Sequence, residues 1–173
     1  MIDLLRQRRS VRKFKQRPVE AEKIAQLSEA LLRAPTSRNQ QPCEFILVDD
    51  PQILNQLATA KKHGTSFFTS APLAVVIAAN PDISDVWVED SAIAAIIVQL
   101  AAEEIGLKSC WAQLRLRAHD DYTRASDFVR HLVDLPAGLE VAMVIAIGYP
   151  EEDISGHPRE SLLDKKIHHN KFS

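Results

Sequence analysis

Arg8-Arg9-Ser10-Val11-Arg12-Lys13-Phe14 opens the informative part of this chain, and Ala34-Pro35-Thr36-Ser37-Arg38-Asn39-Gln40-Gln41-Pro42 follows twenty residues later. Seven of the twelve residues from Arg6 to Arg17 are basic. Arg presents planar, permanently charged donors that match phosphate oxygens. A short helix over residues 3–9, continued by one turn, would set Arg8 and Arg12 on one face with the Ser10 hydroxyl between them. Taken alone, the cluster reads first as a solvated basic face. A nucleic-acid patch would need more stacking partners than Phe14. The second stretch is polar and bracketed by Pro35 and Pro42. Asn39 and Gln41 each carry a donor and an acceptor, which suits the edge of a flat heterocycle. The plainer reading of that loop is a turn whose amides face water.

The remaining composition narrows the class. The chain has 173 residues, 46% hydrophobic and 25% charged, enough for one domain with a real core. A net charge of −2 argues against a general polyanion binder, so the basic N-terminus is a local feature. Cys43 and Cys110 are the only cysteines, too few for a disulfide framework and not spaced for a dithiol or metal motif. His168 and His169 form an adjacent pair with no carboxylate-rich motif beside them, so no metal is expected. No leader pattern opens the sequence. The apolar runs 73–79 and 92–102 are shorter than the roughly 20 residues a membrane helix requires. A cytoplasmic protein with no membrane or nucleic-acid partner is the expectation.

Periodicity and punctuation predict an alternating chain. Helices are expected over 3–9, ending near Ser10, and over 20–33, where Ile24, Leu27 and Leu31 share a face and Pro35 ends the run. A strand over 44–48 precedes a helix that starts at Asp49-Asp50-Pro51 and runs through Leu57. Residues 73–79 form a buried strand between Pro72 and Asn80-Pro81. Residues 88–105 form a long helix that is apolar on nearly every side and stops at Gly106. Such a helix belongs in the middle of a structure or at a large interface. A strand over 109–114, a helix over 125–133 and a strand over 141–148 complete the pattern, and 151–173 is polar and weakly periodic. Alternation alone points to a flavodoxin-like doubly wound sheet. Against this, no Gly-rich loop follows the first strand.

Four segments in order carry a resemblance. Arg8 to Lys13, with its Arg-Ser-x-Arg core, resembles the opening of the nitroreductase family. Pro35-Thr36-Ser37-Arg38-Asn39-Gln40-Gln41-Pro42 resembles that family's Pro-Ser-x-x-Asn-x-Gln-Pro-Trp loop, with Thr36 at the Ser position and Cys43 in place of Trp. Gly106-Leu107-Lys108-Ser109-Cys110-Trp111 resembles Gly-Leu-Gly-x-Cys-Trp, with Lys108 for the second Gly. Ile147-Gly148-Tyr149-Pro150, then His157-Pro158-Arg159, resembles the closing Gly-Tyr-Pro and Lys-x-Arg or Pro-Arg, with His157 at the Lys position. Trp87-Val88-Glu89-Asp90 resembles the aromatic-x-x-Asp start of the central helix. Its acids fit the helix dipole and read as structural.

The resemblance implies an α+β, nitroreductase-like fold: one domain over 1–173, with a mainly antiparallel central sheet flanked by helices in an intertwined homodimer. Residues 151–173 would form an arm over the partner subunit, with 163–172 its closing strand. It implies FMN as cofactor and NADH or NADPH as electron donor. Hydride would pass through flavin N5 to an oxidised nitroaromatic, quinone or flavin by a ping-pong route. Arg8, Ser10 and Arg159 are the phosphate candidates, Arg9 a further cofactor-binding candidate, and Arg12 the electrostatic stabiliser near N1 and O2. Pro35, Thr36, Ser37 and Asn39 would come from the other chain, and Gln41 would line the pocket above the ring. Trp111, Ala112 and Gln113 would pass beside the ring, where a main-chain N–H can donate to N5. The same fold also hosts flavin destructases and reductive dehalogenases. A non-catalytic flavin- or nucleic-acid-binding protein is the reading from another class. Residues 114–135, with Arg115, Arg117 and His119, carry no recognisable motif.

Overall fold

A computed structural model describes residues 1–172. Five helices and four strands follow the expected order: α1 (Ile2–Gln7), α2 (Ala21–Leu32), β1 (Cys43–Val48), α3 (Pro51–Leu57), β2 (Leu73–Ala79), α4 (Trp87–Glu104), β3 (Lys108–Gln113), α5 (Ala125–Leu132) and β4 (Glu140–Gly148). The strands form one sheet in the order β1-β2-β4-β3, with every neighbouring pair antiparallel. The doubly wound parallel sheet suggested by alternation alone is therefore overturned. The antiparallel sheet implied by the resemblance is the one observed.

β2 and β4 are the central strands and are buried on both faces. On β2, Ala74, Val76 and Ala78 join the core under α3 and α5, while Leu73, Val75 and Ile77 join the core under α2 and α4. That is the period of two at work: successive side chains serve opposite layers. β4 breaks the period once. Its register against β2 slips between Ile77 and Ala78, and Ala142 and Met143 both face the α2/α4 layer. The bulge leaves the Ala142 carbonyl accepting two N–H groups, from Leu114 and Arg115, each at 3.1 Å. Pairing of β3 ends there, as bulges commonly bring about.

α4 is apolar all round, as expected, but its two sides differ. Ala94, Ala95, Val98 and Ala102 are buried on the sheet, and small residues let the helix lie close to it. Ile93 and Ile96 remain 38% and 41% exposed. Its buried polar residues all have partners. Glu103 pairs with Lys108, Gln99 bonds the Ala95 carbonyl and Ser109, and Asp90 holds the loop before β1.

One local expectation fails. The first helix stops at Gln7, with Arg8 already extended (φ −58°, ψ 128°), so no helical turn joins Arg8 to Arg12. Residues 10–15 instead run as an extended ribbon. Ser10 bridges Ser109, the Val11 N–H donates to the Ser109 carbonyl at 3.0 Å, and Phe14 bridges Pro150. The stretch 163–172, expected as a closing strand over the partner subunit, is not in a strand within the single chain. That stretch carries a short 3-10 turn at Asp164–Lys166 and exposes Leu163, Ile167 and Phe172. Among the described residues no helix is long and apolar enough to cross a membrane.

Candidate active site

The basic ribbon gains its order from β3. In an extended segment, alternate residues share a side, so Val11 points into the core at 1% exposure while Arg8, Ser10 and Arg12 can face the same way. Their convergence registers on one sulfur. Burial pushes the Cys110 thiol up, and Arg12, the Ser10 hydroxyl and Arg8 pull it back down. An extended ribbon allows Arg8 and Arg12 to share a face by strand periodicity, where a helix was expected to do so. Among the described residues neither Arg8 nor Arg12 is paired with a carboxylate.

Arg9 faces elsewhere. Its Nη1 lies 3.0 Å and 2.5 Å from the two ring nitrogens of His157, and its Nε is buried with no hydrogen-bond partner. Gly156 presses the tail onto the end of α1, where a Cβ would come within 1.7 Å of the Arg6 carbonyl oxygen. The tail thus reaches the basic ribbon through Glu151 and Glu152 on Lys13 and through His157 on Arg9. Arg159 lies further out, with its guanidinium on Asp164 at 2.9 Å and both side chains largely exposed. An exposed pair of this kind contributes about 0–1 kcal/mol, so it does little to hold Arg159 in that position.

β3 is an edge strand. The main-chain groups of Ser109 and Gln113 point away from β4: the Ser109 carbonyl receives Val11 N–H at 3.0 Å, and the Gln113 carbonyl receives Lys61 Nζ at 2.9 Å. By the two-residue alternation of an antiparallel ladder, the amide of Trp111 faces the same side, between these two covers. Ala112 is buried in the opposite layer, and Trp111 is 48% exposed. A cleft of about 380 Å³ runs beside this strand between α4 and β4, lined by Val88, Gln99, Trp111, Gln113, Arg115 and Met143 among others.

The loop before β1 is built differently. Thr36 accepts the Gln41 N–H on its hydroxyl at 3.0 Å, closing the loop on itself. Ser37 N–H donates to Asp90 Oδ1 at 2.8 Å, and Ser84 Oγ donates to Asp90 Oδ2 at 3.0 Å. Asp90 is 2% exposed, so it is the structural anchor expected at the start of α4. Three residues of the loop, Arg38, Asn39 and Gln41, hold φ of 51°, 55° and 49°. Left-handed backbone costs a non-glycine residue about 1 kcal/mol or more. Asn39 adopts it most readily. The exposed Arg38–Asp85 pair offsets little of this cost, so the buried Asp90 contacts hold the shape. Pro35, Asn39 and Gln41 are left exposed to solvent, and Gln40 Oε1 is buried without a partner.

Within one chain the two halves do not meet. The ribbon lies against the outer edge of β3 at the end marked by Ser109, Ile147 and Leu73. The loop leads into β1, the opposite edge, at the end marked by Cys43, Ala79 and Glu140. Three strand spacings and six residues of β2 separate them, which is roughly 20 Å or more.

Sequence reading missed Lys61, which reaches Gln113 across 52 positions from an unremarkable Lys-Lys-His-Gly turn. Nothing local marks it.

A sequence model of the nitroreductase family matches residues 5–65, which contain both the ribbon and the loop. An FMN-dependent nitroreductase from Clostridium difficile superposes with a TM-score of 0.97 at 42% identity, covering 99% of this chain and 100% of that one. A candidate NADH dehydrogenase/NAD(P)H nitroreductase from Archaeoglobus fulgidus is 29% identical over 170 residues, 95% of this chain and 94% of the relative. The NADPH:FMN oxidoreductase from Vibrio harveyi, solved with NAD+, has a TM-score of 0.82 at 25% identity, covering 99% of this chain and 77% of that one. With the antiparallel sheet and the ribbon laid on its edge strand, these likenesses settle the family: the chain belongs to the nitroreductases.

Proposed function

We propose that this nitroreductase is an FMN-dependent oxidoreductase. It takes electrons from NADH or NADPH in one half-reaction and gives them to an oxidised small molecule in the next. The observation that carries this reading is the basic ribbon on the edge of β3, where Ser10 and Arg12 line one pocket whose lining carboxylate, Glu152, is taken by Lys13. Guanidinia outside any ion pair, with a hydroxyl beside them, suit an anionic ligand. The orphaned Arg9 Nε and Gln40 Oε1 are further polar atoms left for a bound group. The donor set therefore fits FMN. Arg8 and Ser10 would hold its phosphate, with Arg159 a further candidate from the tail, while Arg9, turned onto His157, would contribute from the side. Arg12 would face the part of the ring that gains negative charge. The Trp111 amide on the open edge is the donor offered to N5, and Ala112 and Gln113 continue that wall.

When bound, FMN supplies the hydride chemistry at N5. The chain's own task is to grip, orient and exclude water, and it needs no nucleophile. The loop residues Pro35, Thr36, Ser37, Asn39 and Gln41 cannot serve the same flavin as the ribbon of their own chain, given their separation. A symmetric pair of chains solves this, because the loop of one copy can complete the ribbon of the other. Supporting the homodimer are the apolar side chains that stay exposed, Leu5, Leu32, Ile93 and Ile96. Residues 151–157 lie on their own chain, while the exposed Leu162, Leu163, Ile167 and Phe172 are available to a partner subunit. Such an arm would gain its closing strand only by pairing with that partner.

The test is optical. Purified protein should be yellow, bleach anaerobically on adding NADH or NADPH, and recover its colour with a quinone or nitroaromatic. A colourless protein that binds no FMN would refute the reading. One that retards DNA or RNA at physiological salt would favour the nucleic-acid alternative.

A further inference from the structure

We propose that Lys61, Arg115 and Arg117, gathered on Gln113, form a subsite for an oxyanion carried by a reactant. The group would be the carboxylate of an aromatic acceptor or a phosphate of the nicotinamide donor. The inference rests on the oxidoreductase reading and adds a substrate class to it.

Gln113 is the hub. Its carbonyl holds Lys61 Nζ at 2.9 Å, and its Oε1 accepts Arg117 Nε and Nη2 at 3.2 and 3.0 Å. Its Nε2 donates to the Arg115 carbonyl at 2.9 Å, which fixes the amide with its oxygen toward Arg117. Arg115 sits over the Trp87 ring, 5.6 Å from its centre. Two cations, Lys61 and Arg117, are thus bonded to Gln113 directly, and Arg115 is joined to it through its main-chain carbonyl. Among the described residues none of them pairs with a carboxylate. Arginines close by in sequence do: Arg124 with Asp127 and Glu140, Arg130 with Asp127. Burial and the charge of Arg117 both push the Lys61 ammonium down. The crowding therefore has a cost that an anion would relieve.

The backbone is bent to make this cluster. The Arg117 N–H closes a turn on the Leu114 carbonyl at 3.0 Å, and Leu116 between the two arginines takes φ 59° while 75% exposed. Nothing in packing requires an exposed leucine in a left-handed conformation, and strain of this kind gathers at ligand sites. The β4 bulge at Ala142 ends β3 at this point and starts the turn.

Position decides what the anion belongs to. Gln113 and Arg115 line the 380 Å³ cleft together with the half-exposed Trp111, a space that suits one aromatic ring. The cluster lies four residues along β3 from Ser109, where the ribbon binds, or about 13 Å. The two basic groups therefore flank the Trp111 amide from opposite ends. One phosphate-sized anion cannot engage both, so the second cluster is free for a reactant.

The experiment uses the FMN-loaded protein. Wild type should reduce 4-nitrobenzoate with a kcat/KM at least tenfold above nitrobenzene, or prefer NADPH over NADH by a similar factor. Lys61→Met with Arg117→Gln should abolish that preference while FMN content and flavin midpoint potential stay as in wild type. Lys61→Arg, which keeps the charge, should retain it. Loss confined to the acceptor pair assigns the site to a carboxylate; loss confined to the nucleotide pair assigns it to a phosphate. An unaltered preference, or FMN loss in step with activity, would overturn the subsite. A measurement without variants or turnover guards against misfolding. Benzoate should perturb the flavin spectrum at a concentration at least tenfold below benzamide, or inorganic phosphate should do so well below chloride. If neither anion is favoured, the subsite is refuted even in an enzyme whose flavin bleaches normally with NAD(P)H.

Discussion

The main-chain N–H of Ser37 donates to the Oδ1 of Asp90 across 2.8 Å and 53 positions of sequence, tying the polar loop to the first turn of the central helix. Asp90 is buried, and its other oxygen takes the Ser84 hydroxyl. A carboxylate shared by two buried donors is a rigid mount for a loop that holds three strained residues.

Replacing that mount should be costly. Asp90→Ala strands two donors, each worth about 1–3 kcal/mol when left buried and unsatisfied, so stability should fall by roughly 2–4 kcal/mol. Asp90→Asn keeps one acceptor and should lose about half as much. Urea denaturation measures both, and equal small losses would mean water replaces the carboxylate.

Arg8 is expected to act on the cofactor's phosphate. Losing one charged hydrogen-bond partner costs about 1.5–3 kcal/mol, so Arg8→Ala should weaken FMN binding about tenfold or more. Riboflavin, which has no phosphate, should bind nearly as before. Fluorescence titration with both ligands decides; equal losses would remove Arg8 from the phosphate.

Arg12 is exposed in the free chain, and its proposed partner is charge that appears only on reduction. Arg12→Gln should therefore lower the flavin midpoint potential by tens of millivolts, since about 30 mV corresponds to 1.4 kcal/mol for a two-electron couple. Affinity for oxidised FMN should change less. A potential unaltered in a variant that still binds flavin would return Arg12 to the surface charges.

The Tyr149 hydroxyl donates to Glu20 Oε2 at 2.6 Å and, with Arg17 nearby, holds the Glu20 carboxyl down at about 2. A folded-state value below the ordinary 4.5 means a contribution present above about 4.5 and lost as pH falls toward about 2. Side-chain carboxyl NMR should place the Glu20 midpoint well below those of the other glutamates. Glu20→Gln should lower the melting temperature at pH 6 and match wild type near pH 2.

Gly156 has backbone where a side chain would go. The Arg6 carbonyl oxygen would lie 1.7 Å from a new Cβ, so Gly156→Ala must lift the tail off α1 and separate His157 from Arg9. Limited proteolysis should then cut near residue 156 much faster, with the core melting nearly unchanged because the tail beyond it is exposed. An unchanged cleavage rate would show that α1 moves instead.

The chain's local chemistry determined its elements. Leu73–Ala79 is β-branched and bracketed by Pro72 and Asn80-Pro81, and it is a strand with those bounds. The helices end where proline, glycine or lost periodicity would end them, within a residue or two. Arg8, Ser10 and Arg12 were legible in sequence as a basic cluster, and only its order with the Pro35–Pro42 loop suggested an anion site.

Only the tertiary structure decided how these pieces are arranged. Alternating helices and strands suit parallel and antiparallel sheets alike, and the choice rests on pairings such as Cys43 with Ala79 that no local pattern specifies. The ribbon abandons its helix because Ser109 and Pro150 supply pairing partners far along the chain. The stretch 163–172, expected as a closing strand over a partner subunit, has no strand partner within its own chain, and a strand needs one for its main-chain groups. Lys61 and Arg117 meet at Gln113, and His157 meets Arg9, because the fold brings distant backbone together. Sequence alone holds no record of such proximity, since each of these residues would be equally at home in solvent.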